Sequence, residues 1–118
     1  MLVFTVAAVI LGATGCGSDE QNPIAANEDL QQAALELDGE AASGKKVWTK
    51  AGCGACHTLA ASNAKGTVGP DFDEVQPSAT FVVDRVALGR GVMPTYRGVL
   101  TPQEIADVAA YVAEASRR

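Results

Sequence analysis

Cys53-Gly54-Ala55-Cys56-His57 is the stretch on which the reading of this 118-residue chain turns. Two thiols separated by two residues, with an imidazole directly after the second, form the C-x-x-C-H signature of c-type haem attachment. The chemistry asks for those residue types in that order. Each cysteine forms a thioether to one vinyl group, and the two-residue spacer matches the separation of two vinyls on one porphyrin edge. The residue after the second cysteine is then carried beneath the iron, which gives His57 the proximal position. Gly54 and Ala55 are small, so the backbone can curl against the macrocycle. One haem c, bound through Cys53 and Cys56, and a single-electron function are expected.

The same thiols also suit a zinc site or a thiol–disulfide centre. A structural zinc site asks for four ligands, and the chain holds a single histidine and one further cysteine, Cys16, which has another use. A thioredoxin-like centre asks for a βαβ context, and no such pattern follows residue 57. Haem attachment accounts for every residue of the motif.

Working outward, Glu40 to Ala51 reads as a helix stopped by Gly52, with Val47 and Trp48 turned inward. Gly44 lies four residues before Trp48 and shares its face. The stretch after His57 is a loop to about Ser78, rich in Gly, Ser, Asn and Pro, with a turn at Gly69-Pro70 and an apolar anchor at Phe72. Ser78 caps a second helix over Ala79–Leu88, whose apolar residues mix faces, and Gly89 and Gly91 end it. Met93 follows in a Gly/Pro loop, where a gap-filling core methionine would be out of place. Thr101-Pro102-Gln103-Glu104 is a capping box with proline at the first helical position. Ile105, Val108, Ala109 and Val112 then form one apolar face with Tyr111 beside it.

With Gly44, Trp48, the C-x-x-C-H motif, Pro70, Met93 and Tyr111 in view, residues 38–118 resemble a class I c-type cytochrome. That resemblance implies an all-α cytochrome c fold, with three main helices and loops wrapped around one covalent haem. It implies that Gly44 lets the last helix cross the first at close range, and that Tyr111 packs near Gly44 and Trp48. It gives Pro70 the carbonyl that accepts the second ring proton of His57, Phe72 a place against the haem, and Met93 the sixth ligand position. His57 and Met93 would then be the metal ligands. One of Arg85, Arg90, Arg97, Tyr96 and Trp48 would meet a haem propionate.

A domain of roughly 80 residues has a limited apolar core and usually needs a staple or cofactor; a buried porphyrin would serve. The net charge of −5 is unevenly spread, since residues 38–118 carry nine acidic and nine basic side chains. The excess sits in Asp19, Glu20, Glu28, Asp29 and Glu36. No basic run interleaved with aromatics points to nucleic acid. Lys45, Lys46, Lys50 and Lys65 could steer a partner.

Leu2 to Leu11 is apolar apart from Thr5, the length of a signal-peptide core and short for a bilayer span. Gly12-Ala13-Thr14-Gly15-Cys16 resembles a bacterial lipobox, with Ala13 where larger aliphatics are usual and no Lys or Arg ahead of the apolar run. Lipidation at Cys16, an uncleaved anchor and full release are the alternatives. Residues 1–16 are therefore read as a leader and residues 17–37 as a flexible acidic linker. The alternative for its second half is a short helix capped by Asn27 and running through Leu37, with a thin apolar face of Leu30, Ala34 and Leu37. Residues 38–118 are the haem domain.

These readings lead to an exported, membrane-anchored, monomeric electron carrier at the outer face of the cytoplasmic membrane or in the periplasm. Its partners would be respiratory or photosynthetic redox proteins docking at an exposed haem edge. The rivals are a dedicated haem subunit of a membrane oxidoreductase complex, and a haem enzyme or gas sensor with an open sixth position. No acid–base pair or nucleophilic constellation suggests catalysis.

Overall fold

A computed structural model of the chain describes residues 23–118. The leader, Cys16 and the first six linker residues lie outside them. In chain order the elements are α1 (Pro23–Leu35), α2 (Ala41–Ala51), β1 (Thr58–Leu59), β2 (Ala64–Lys65), α3 (Phe72–Val75), α4 (Ala79–Leu88) and α5 (Pro102–Ala115). Helices α2, α4 and α5 are the three main ones expected, and the strands form only a two-residue antiparallel hairpin. The fold is all-α.

The pairing of α2 with α5 is the most extensive in the molecule. A β-carbon on Gly44 would stand 1.9 Å from the Asp107 carbonyl oxygen and 2.7 Å from the Tyr111 β-carbon. Backbone therefore meets backbone at this crossing, as expected for Gly44. Trp48 and Tyr111 meet edge to face beside it, with centroids 6.2 Å apart. The start of α2 is secured from α5: Asp107, 7% exposed, accepts the Glu40 backbone N–H at 2.8 Å and the Gln103 side-chain amide at 2.9 Å. No local pattern announced that role.

Each remaining boundary has a nameable cause. Gly52 at φ 72° ends α2 by returning its N–H to the carbonyls of Trp48 and Thr49, the left-handed stop that glycine adopts freely. The Ser78 hydroxyl caps α4 by accepting the Phe81 N–H. At α5 both halves of the Thr101–Glu104 capping box form, with Pro102 at the first position. The mixed faces of α4 resolve into two buried sides. Val82 and Val86 line a central cavity, while Val83 and Ala87 are buried in the core away from it.

The expectation of a flexible linker over residues 17–37 is corrected from residue 23 onward. Pro23 to Leu35 is a helix packed against α4 and α5. The helix thus includes Asn27 rather than starting from it. Ala34 is 1% exposed and Leu30 is partly buried against the core. Gln31 donates to the Asp84 carboxylate across the α1–α4 contact at 2.6 Å. A thin apolar stripe suffices here because small Ala34 allows a close approach. Leu37 lies past the helix end and is exposed.

Candidate cofactor site

Directly after Gly52, residues Cys53–Ala55 form a 3-10 turn, and the His57 N–H returns to the Cys53 carbonyl at 3.1 Å. The turn swings both thiols to one wall of the central cavity and sets His57 behind them. Cys53 is partly buried and Cys56 exposed. Burial pushes the Cys53 thiol up to about 11, against the hydrogen bond to its own backbone and with a further upward push from the neighbouring Cys56. Redox-active cysteines sit in the opposite setting, with a thiol lowered toward or below neutrality. Among the described residues no group of three or more His, Cys, Asp or Glu is arranged to hold a metal ion.

His57 is 8% exposed and held from three sides. Its Nδ1 lies 2.8 Å from the Pro70 carbonyl oxygen. A carbonyl can only accept, so Nδ1 carries the proton and Nε2 keeps its lone pair. The Phe72 ring stacks on the imidazole at 4.3 Å between centroids and 15° between planes. Gly69 closes the third side: a β-carbon there would come within 2.4 Å of the ring. The loop that supplies all three contacts is fastened to the attachment turn by the Gly69 N–H, which donates to the Cys56 carbonyl at 2.7 Å. At Pro70 the carbonyl does this work, and the residue itself is exposed.

Met93 enters the same cavity from a tight turn. Arg90 and Met93 exchange backbone hydrogen bonds at 2.9 and 3.0 Å, and Gly91 between them sits at φ 57°. The turn is bolted to α4 by the Thr95 hydroxyl on the Ala87 carbonyl at 2.6 Å and by the Tyr96 N–H on the Val86 carbonyl at 3.0 Å. The Tyr96 hydroxyl is pushed above its ordinary value by burial, and further by the two cysteine sulfurs nearby.

Cys53, Cys56, His57, Pro70, Phe72 and Met93 thus line one cavity of about 570 Å³. That volume falls inside the range of about 300–1,000 Å³ usual for cofactor pockets. The walls are mainly aliphatic and aromatic, and the polar groups on them are those of the attachment motif with Arg85, Arg90 and Tyr96. The residues fit a covalent haem. Of the side chains considered for the propionates, Trp48, Arg85, Arg90 and Tyr96 line the cavity and Arg97 does not. Sequence reading had not singled out Gly69 as the seat of the imidazole. Its one available signal was position, directly before the proline whose carbonyl orients the ring. Val82, Val86, Val108 and Val112 complete the floor, each pair spaced by one helical turn.

Residues 39–112 match the family described as cytochrome c oxidase, cbb3-type, subunit III. The chain is 36% identical over 92 residues to cytochrome c6 of Limnospira maxima, covering 68% of this chain and 98% of that protein. It is 31% identical over 84 residues to cytochrome c6 of Gloeothece citriformis, covering 68% and 76% respectively. Among solved structures it is similar to the c-type cytochrome SorU from Sinorhizobium meliloti. That similarity has a TM-score of 0.60 at 36% identity and covers 75% of this chain and 93% of the other.

Proposed function

The chain belongs to the class I c-type cytochromes, with one covalent haem c on Cys53 and Cys56, and on that premise we propose that it is an exported, membrane-anchored electron carrier whose iron is held by His57 and Met93. The observation that carries the ligand assignment is the Nδ1–Pro70 bond, which leaves Nε2 as the imidazole's lone-pair nitrogen in a cavity that also holds Met93. When bound, the haem supplies a single-electron couple, and a His/Met ligand pair raises its potential relative to other sets. The Pro70 carbonyl fixes the tautomer and strengthens His57 as a donor. Phe72 and Gly69 keep the ring from turning. The turn bearing Met93 is tied to α4 at two points, so the thioether is held in place through oxidation and reduction. His57 and Met93 would be the two residues holding the iron, and a site so filled would leave no place for a substrate, which favours a carrier over an enzyme or gas sensor.

Met93→Ala tests the assignment. The variant should show a lower reduction potential, no methionine-to-iron charge-transfer band and rapid binding of carbon monoxide when reduced. Rapid carbon monoxide binding by the unaltered reduced protein, or an unchanged potential in the variant, would overturn it.

Anchoring through Cys16 draws its support from the leader pattern. Among the described residues no helix is long and apolar enough to cross a membrane. Mass measurement of the membrane-extracted protein reads lipid and cleavage site together; an unmodified chain in the soluble fraction would sink the anchor. The redox partners would be proteins, met by a monomer, with no role for nucleic acid. The match of residues 39–112 to an oxidase subunit family favours a second reading, a dedicated haem subunit of a membrane oxidoreductase complex. Stable copurification with a catalytic subunit distinguishes it from a mobile carrier.

A further inference from the structure

Behind the attachment turn lies a second, open groove of about 420 Å³, lined in part by Lys45, Thr49, Gly54, Ser62, Asn63 and Lys65. Its lining holds two lysines and no carboxylate, in a chain whose net charge is −5. Both lysines are exposed, and neither is in an ion pair among the described residues, whereas nearby Lys50 is taken by Glu104 at 2.5 Å.

Its back wall is thin. Trp48 and Gly52 line both this groove and the haem cavity, so one indole separates the two. The Nε1 edge of that indole lies against Gly54, where a β-carbon would be 3.5 Å from Nε1. Toward the haem side, Trp48 meets Phe72 edge to face at 6.0 Å, and Phe72 stacks on His57. Gly52, Gly54, Ala55 and Ala64 keep the wall low, and the Asn63 backbone at φ 49° turns the hairpin tip beside it.

Building on the electron-carrier reading, we propose that this groove is a second docking face, which receives an acidic surface segment of a redox-partner protein. Lys45 and Lys65 would flank the incoming carboxylates and set the register. The electron would pass between partner and haem across the Trp48 wall, on the side away from the main cavity mouth. One electron leaves the reduced haem and one enters the partner, with no bond made or broken. The two lysines and the carboxylate-free lining select an acidic protein surface as the occupant. Steering of this kind acts on encounter rate and fades with salt.

The test uses the holoprotein and the trianionic paramagnetic complex hexacyanochromate(III). Nuclear magnetic resonance signals of residues 45, 49, 54, 63 and 65 should broaden at low salt, and Lys45→Gln/Lys65→Gln should abolish the effect. The same double variant should be oxidised by hexacyanoferrate(III) about threefold or more slowly at low salt. That difference should vanish at high salt, with spectrum and reduction potential unchanged. Oxidation by the cationic tris(phenanthroline)cobalt(III) should not slow. Broadening confined to the Arg85–Arg90 side, or none, overturns the proposal. So does concentration-dependent self-association lost in the double variant, which would make the occupant a second copy. If the groove fails these tests while the cobalt complex still oxidises the protein, the carrier reading stands without it; a protein that neither probe oxidises removes both.

Discussion

A methyl group placed on Gly44 has nowhere to go, since it would stand 1.9 Å from the Asp107 carbonyl oxygen. Glycine to alanine inside a helix ordinarily gains about 1 kcal/mol of propensity. At this crossing the sign reverses, because the obstacle is backbone and can yield only if α2 and α5 move apart. Overpacking of a core costs about 1–3 kcal/mol, and a shifted α5 would also loosen Asp107 from the Glu40 N–H. Gly44→Ala is therefore expected to destabilise the holoprotein by about 2 kcal/mol or more in denaturant unfolding, with Thr49→Ala on the exposed face as a control within about 0.5 kcal/mol. Equal stability of the two variants would show that the crossing has slack. The imidazole seat follows the same logic. Gly69 is small because the His57 ring occupies the space a side chain would need.

At the scale of elements, the start of α5 ties local and tertiary forces at one carboxylate. Glu104 accepts the Thr101 N–H at 2.9 Å and bonds Lys50 at the end of α2. The Lys50 ammonium, with the Thr101 backbone N–H, holds the Glu104 carboxyl below its ordinary 4.5. A depressed carboxyl contributes stability that is present above its unfolded value and is lost as pH falls through the folded one. Acid unfolding should therefore steepen below about pH 4.5 in the unaltered protein, and Glu104→Gln should flatten that limb while lowering stability at pH 7. An identical acid limb in the variant would place the titration elsewhere. The capping box was readable because every part of it lies within four residues. So was the haem-attachment motif, because C-x-x-C-H is local chemistry. Asp107 was not, since its partner Glu40 is distant in sequence and met only when α2 and α5 cross. A helix ahead of residue 38 was ranked below a solvated spacer for a related reason. Its stripe is too thin to argue burial alone, and what buries it is supplied by α4 and α5. The haem domain was drawn at residues 38–118, yet helix Pro23–Leu35 also packs against α4 and α5.

Considered whole, the molecule is built around a space its own side chains do not fill. A cavity of about 570 Å³ sits among Val82, Val86, Val108, Val112 and Leu100, the residues that a chain this short would otherwise use as core. A domain this small has only about 5–15 kcal/mol of stability in all, so apolar walls with nothing packed between them matter. The covalent cofactor therefore acts as the missing centre of the core as well as the carrier of charge. The thioethers at Cys53 and Cys56 would tether it to the attachment turn. Cys53→Ala/Cys56→Ala, which leaves His57 and Met93 in place but removes the tether, should yield a colourless chain. That chain should keep part of its helical far-ultraviolet signal, lose its near-ultraviolet fine structure and unfold without a cooperative transition. The untethered chain should also bind a hydrophobic dye that the holoprotein excludes, since the same aliphatic walls would then be open to solvent. A sharp two-state transition in the haem-free variant would mean that α2, α4 and α5 can close over the gap by themselves, and that the cofactor is a passenger in the fold.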